Sequence, residues 1–106
     1  MISCNCIVQA GQISADVEST LRTRLSELAI NAFGEPAEVS WLVIQQGSGF
    51  TAAKPSTSSI ISMTANRALP QAERAALLQT LCELWAQETE VTLDEVVGVI
   101  SDPQLQ

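Results

Sequence analysis

Apolar residues recur along this chain with two different periods, and the periods alternate. In residues 2–8, Ile2, Cys4, Cys6 and Val8 occupy every second position, the spacing of a strand with one buried face. After Gly11 the period changes: Val17, Leu21, Leu25, Leu28 and Ala32 follow at spacings of four and three, which is one face of an amphipathic helix. Ser14 is a good N-cap, Asp16 and Glu18 suit the positive end of that helix, and Gly34 and Pro36 stop it. The β-branched and aromatic run VSWLVIQ (39–45) then predicts a second strand.

The same order returns. SSIISMTA (58–65) predicts a strand, Pro70 stands near the first turn of a helix, and Leu77, Leu78, Leu81, Leu84 and Trp85 mark its buried stripe. EVVGVIS (95–101) closes the chain as a strand. A gapless offset of 56 brings Leu21 onto Leu77, Leu25 onto Leu81, Glu27 onto Glu83 and Leu28 onto Leu84, and it also aligns Val43 with Val99 and Ile44 with Ile100. We read residues 1–106 as one domain made of two βαβ pseudo-repeats, 2–45 and 58–101, joined by a loop, 46–57.

A crossover of this length makes its two strands parallel and right-handed. The expected fold is therefore α/β (α+β): a four-stranded mixed sheet with both helices on one face. A ferredoxin-like βαββαβ domain shares this order of elements. The second sheet face raises a difficulty, because WLVI and VVGVI are apolar on both sides and no helix is left to cover them. Another subunit is the simplest cover.

Composition narrows the function. Hydrophobic residues are 46% of the chain and charged residues 16%, so a packed core is affordable. The formal net charge of −7, with no basic stripe, argues against nucleic acid and anionic membranes as partners. No apolar stretch approaches the roughly 20 residues of a membrane span. MISCNCIVQAGQ lacks the basic flank of a signal peptide, so the expected location is cytoplasmic. There is no histidine, which removes Ser-His and Cys-His mechanisms. Cys4, Cys6 and Cys82 cannot all pair within one chain and are read as reduced structural thiols; a zinc site would need other ligands, and no metal is expected.

The stretches AGQIS, FGEPAEVSWLVIQQ and GSGFTAAK are similar, in this order, to 4-oxalocrotonate tautomerases, and LLQTLCELWAQETEVTLDEVVGVISD resembles the end of the macrophage migration inhibitory factor branch. The resemblance to the tautomerase superfamily covers nearly the whole chain. It implies a homotrimer, pockets near the N-terminus, no cofactor, and proton transfer between carbon and oxygen of small 2-oxo acids by an amino-terminal proline; some branches hydrate or dehalogenate unsaturated acids. The chain departs from this pattern where the chemistry lies. Ile2 follows Met1, so the proline is absent and Met1 is expected to be retained. Glu35 stands where the inhibitory-factor branch has a lysine, Val97 and Val99 where it has a tyrosine and an asparagine, and Trp41 where oxalocrotonate enzymes have an arginine.

The remaining candidates are few. Met1 offers a primary α-amine as a weak general base. Lys54 and Arg67, both in predicted loops, are candidates to hold a substrate carboxylate. Ile2, in the proline's place, and Phe50, after two loop glycines, are candidate pocket residues. The hydroxyls of KPSTSS (54–59) can cradle an oxyanion or simply shape a turn. Two functions stay open: a cofactor-free tautomerase acting on a small 2-oxo acid, and a non-catalytic oligomer that binds a small molecule or a protein.

Overall fold

The computed structural model describes residues 1–103. Its elements run β1 (Ile2–Gln9), α1 (Ala15–Phe33), β2 (Ala37–Ile44), a hairpin of β3 (Phe50–Thr51) and β4 (Lys54–Pro55), β5 (Ser59–Thr64), α2 (Gln71–Thr89), a 3-10 turn (Leu93–Glu95) and β6 (Val96–Ser101). The main sheet has the order β2-β1-β5-β6, parallel at both flanks and antiparallel where β1 meets β5. The expected mixed sheet is thus present. The segment 46–57 differs from the expected plain loop in carrying the two-stranded hairpin.

The core lies between the helices and one sheet face. Ile2, Cys4 and Cys6 of β1 and Ile61 and Met63 of β5 are almost completely buried there. Leu21, Leu25 and Leu28 of α1 and Leu81, Leu84 and Trp85 of α2 pack onto the same cluster. Alternation in β1 and helical spacing in α1 are therefore two descriptions of one buried layer.

The 56-residue offset holds for the helices, since α1 and α2 each have 19 residues and begin at 15 and 71. It fails in the sheet. Cys4 lies opposite Val39 in β1/β2, while Ile61 lies opposite Gly98 in β5/β6, so Trp41 corresponds in register to Ile100, and Ile44 does not. The cause is loop length: three residues (34–36) join α1 to β2, but six (90–95) join α2 to β6. A slip by an odd number of residues moves a side chain to the opposite sheet face.

The outer sheet face carries no element of this chain among the described residues. One row across it is Leu42, Ile7, Ile60, Val97, and the next is Ser40, Asn5, Ser62, Val99. Leu42, Val97 and Val99 are 57%, 44% and 41% exposed. An apolar row facing water is consistent with a surface awaiting a partner. No helix among the described residues is long and apolar enough to cross a membrane.

Both helices end in the left-handed conformation, at Gly34 (φ 75°) and at Glu90 (φ 61°), 56 positions apart. Glycine adopts this conformation without the Cβ clash that Glu90 bears. Glu90→Gly is expected to raise stability by up to about 1 kcal/mol in urea denaturation; an unchanged or lower midpoint would show that the Glu90 side chain offsets the strain.

Candidate functional site

The chain start sits at the carboxyl end of α1, where helix carbonyls collect partial negative charge. No basic residue occupies the last turn of α1, so groups from outside supply the donors. Gly34 N–H donates to the Ile30 carbonyl at 2.9 Å. The Asn66 amide donates to the Phe33 carbonyl at 2.9 Å, and Arg67 Nη2 donates to the Ala32 carbonyl at 3.2 Å. Ile2 N–H donates to the Pro36 carbonyl at 2.9 Å, which pins the start of β1 beside the turn 34–36.

Glu35 projects from that turn onto the chain start. The Met1 α-ammonium donates to Glu35 Oε1 at 3.0 Å, and the Asn66 amide donates to Glu35 Oε2 at 2.7 Å. The Asn66 hydrogen bond, followed by that of the Met1 ammonium, holds the Glu35 carboxyl below its ordinary value. Arg67 lies one residue on from Asn66. It forms an ion pair with Glu73 in the first turn of α2, lowering the Glu73 carboxyl, and stands 5.8 Å from the centre of the Phe33 ring. Two cations and two carboxylates thus meet at this edge, each in a pair.

The other predicted residues lie elsewhere. Ile2 is 1% exposed and points into the core. Phe50, 65% exposed, and Lys54 belong to the hairpin. The hairpin base is closed by Ser56 N–H on the Gly49 carbonyl and is tied to the carboxyl end of β1 through Gln9 on the Ser56 carbonyl and Gln12 on the Thr57 carbonyl. With eight residues of β1 between them, the hairpin base and Met1 are separated by about 26 Å at roughly 3.3 Å per residue. The protomer therefore places Met1 and the loop that carries Arg67 at one end of β1 and leaves Phe50 and Lys54 at the opposite end.

The hydroxyls of 56–59 are engaged with neighbouring groups. Ser56 Oγ donates to Ser58 Oγ at 2.8 Å and accepts from Ser58 N–H at 3.1 Å; Thr57 Oγ1 donates to Glu95 at 2.6 Å; Ser59 is buried. They shape the turn and do not converge on an oxyanion. The thiols are similarly occupied in structure: Cys4 and Cys6 are buried, and the Cys6 thiol is pushed up by its hydrogen bond to Cys4 and by burial, which leaves it a poor nucleophile. Trp41 lies against Trp85, centroids 5.6 Å apart and nearly perpendicular, with the Arg22 guanidinium 5.6 Å from the Trp41 ring. It is a packing residue. No cluster of three or more His, Cys, Asp or Glu residues suited to a metal ion occurs among the described residues.

The surface formed by the described residues includes two cavities of about 320 Å³ each. One lies between the helices, with Leu28, Leu77 and Leu84 among its lining residues; the other is lined by Gln9, Ala10, Gln12, Gln46 and Thr57. Neither contains Met1, Arg67 or Lys54. In the sequence Glu35 is visible only as a departure from the inhibitory-factor pattern, and Asn66 is not visible as a site residue. Glu35 carried a signal in its position between Gly34 and Pro36, but nothing local distinguishes Asn66 from any other loop amide.

Two parallel βαβ units joined through the antiparallel β1–β5 pair, with the chain start at one end of β1, form a fold that is shared with solved structures of other proteins. Over 95% of its length the chain matches native Ps01740, at 24% identity and a TM-score of 0.87, covering 93% of that chain. It matches Q0 fused 4-OT, a symmetric trimer, at 14% identity and a TM-score of 0.84, and Pt0534 inactivated by 2-oxo-3-pentynoate, at 19% identity and a TM-score of 0.82. In both cases 95% of this chain and 85% of the other are covered. No protein-family model matches the sequence, and no curated protein matches it significantly.

A carboxyl held below its ordinary value stabilises the fold at pH above that value, here 4.5, and the contribution fades as pH falls through the lower folded-state value. Glu35→Gln is accordingly expected to lower the melting temperature near neutral pH, with the difference from wild type shrinking as pH falls below about 4.5. Thermal melts across the acid range test this; a gap that stays constant to low pH would contradict it.

Proposed function

We propose that this chain is an atypical tautomerase-superfamily protein: a cofactor-free isomerase of a small 2-oxo acid, acting at the start of β1 within a homotrimer. The observation that supports this reading best is the place of the Met1 amine, on Glu35 and beside the loop of Asn66 and Arg67, on a fold shared over 95% of the chain with fused 4-OT. In the ketonising direction the ammonium gives a proton to the substrate carbon, the enol hydroxyl loses its proton to water, and the amine regains one from water. Arg67, together with the Met1 ammonium, supplies positive charge for the substrate carboxylate. Ile2 contributes its backbone, through the hydrogen bond that pins the chain start, while its side chain stays in the core.

Phe50 and Lys54 enter this reading from a neighbouring copy, because the length of β1 separates them from Met1 in their own chain. The exposed row Leu42, Ile7, Ile60, Val97 is the surface we assign to the contact between copies, and Q0 fused 4-OT is a symmetric trimer. Free thiols at Cys4, Cys6 and Cys82 suit a reducing, cytoplasmic setting. The second reading, a non-catalytic oligomer that binds a small molecule or a protein, draws on a different observation: both cations at the chain start are already paired with carboxylates.

Ultraviolet-monitored ketonisation of an enolised aryl 2-oxo acid tests the first reading, using protein whose N-terminus is verified by intact mass. A rate above buffer that disappears when the α-amine is acetylated is expected; a rate equal to buffer would favour the binding module. Leu42→Asp is expected to shift the sedimenting species toward the monomer while the circular dichroism stays that of the folded chain. An unchanged sedimentation coefficient would remove the outer sheet face from the interface.

A further inference from the structure

Glu35 is beside the chain start for a local reason. Gly34 takes the left-handed turn that ends α1, and the Pro36 carbonyl accepts Ile2 N–H, so the side chain between them emerges next to Met1. Both of its carboxylate oxygens are engaged, one by the α-ammonium and one by Asn66. Asn66 is itself fastened to the Phe33 carbonyl at the end of α1. The carboxylate is therefore aimed at the amine by two anchors, in the charge-assisted geometry that a bound carboxylate would adopt.

The other charges at this edge do not compete for the amine. Arg67, from the loop after β5, is on Glu73 of α2 and over the Phe33 ring. A carboxylate approaching Met1 thus meets an ammonium that already holds one. The Met1 and Glu35 side chains are 54% and 43% exposed, and an ion pair so open to water is held weakly enough to exchange.

We propose that Glu35 is a specificity-determining residue that occupies the Met1 α-ammonium in place of a ligand carboxylate, so that a small 2-oxo acid binds by displacing it. The step is an exchange of ion-pair partners, in which no covalent bond forms or breaks. It rests on the reading of Met1 as the functional amine.

The test needs a reference amine outside the protein, because Lys54 belongs to the proposed site of a neighbouring copy. Limited acetylation with an N-hydroxysuccinimide ester beside an added unrelated peptide with one free amine, read by peptide mass spectrometry after the N-terminus is verified, gives the ratio of labelling at Met1 to that reference. Glu35→Gln is expected to raise this ratio by roughly two- to fivefold, within the range an exposed ion pair supports. Asn66→Ala, which removes one anchor, is expected to raise it less. Pyruvate, as the probe carboxylate, is expected to protect Met1 in Glu35→Gln at a concentration several-fold lower than in wild type. Equal labelling ratios in wild type and Glu35→Gln would overturn the proposal, and so would pyruvate protection at the same concentration in both. Normal protection without ketonisation would sink the catalytic reading and leave the ion-pair exchange standing.

Discussion

The sheet has an apolar inner face and an outer face crossed by an apolar row, and the chain has helices for one. That imbalance governs the rest of the structure. The inner face of β1 and β5 is closed by α1 and α2 into a layer where Ile2, Cys4, Ile61 and Met63 are shielded from water. The outer face leaves Leu42, Ile7, Ile60 and Val97 in line across all four strands. Burial of apolar surface is the main favourable contribution to association, so a row of this kind makes the protomer an incomplete object.

At the chain start the chemistry is set by what ends a helix. The carboxyl end of α1 lacks basic residues of its own, and the carbonyls of Ala32 and Phe33 take donors from Arg67 and Asn66. The turn that reverses the chain after Gly34 then aims Glu35 at Met1. Capping, turn geometry and placement of the amine are one arrangement, so a substitution at Asn66 acts on the helix end and on Glu35 together.

Much of this was legible in the sequence. Alternation in ISCNCIVQ, helical spacing from Val17 to Ala32 and the Gly34 and Pro36 stop located β1, α1 and the turn with only small shifts at the boundaries. The sheet register was not legible from the repeat, because three extra residues between α2 and β6 move the strand equivalence from Ile44 to Trp41 while both helices keep their offset. Trp41 illustrates the limit: an aromatic in a strand reads as a core or interface residue, as it is, but nothing local names Trp85 as its partner. Of the candidate site, Met1 and Arg67 were named as separate residues. What joined them were Glu35 and Asn66, short-range polar partners whose meeting depends on three segments distant in sequence.

The Trp41 and Trp85 contact has an optical consequence. These are the chain's two tryptophans, and it has no tyrosine, so nearly all of its near-ultraviolet signal arises from one edge-on indole pair. One ring is carried by β2 and the other by α2, elements of different βαβ units. Ring orientation therefore reports the docking of one half of the molecule on the other, and the protein carries its own spectroscopic gauge of that joint, centred beneath Arg22.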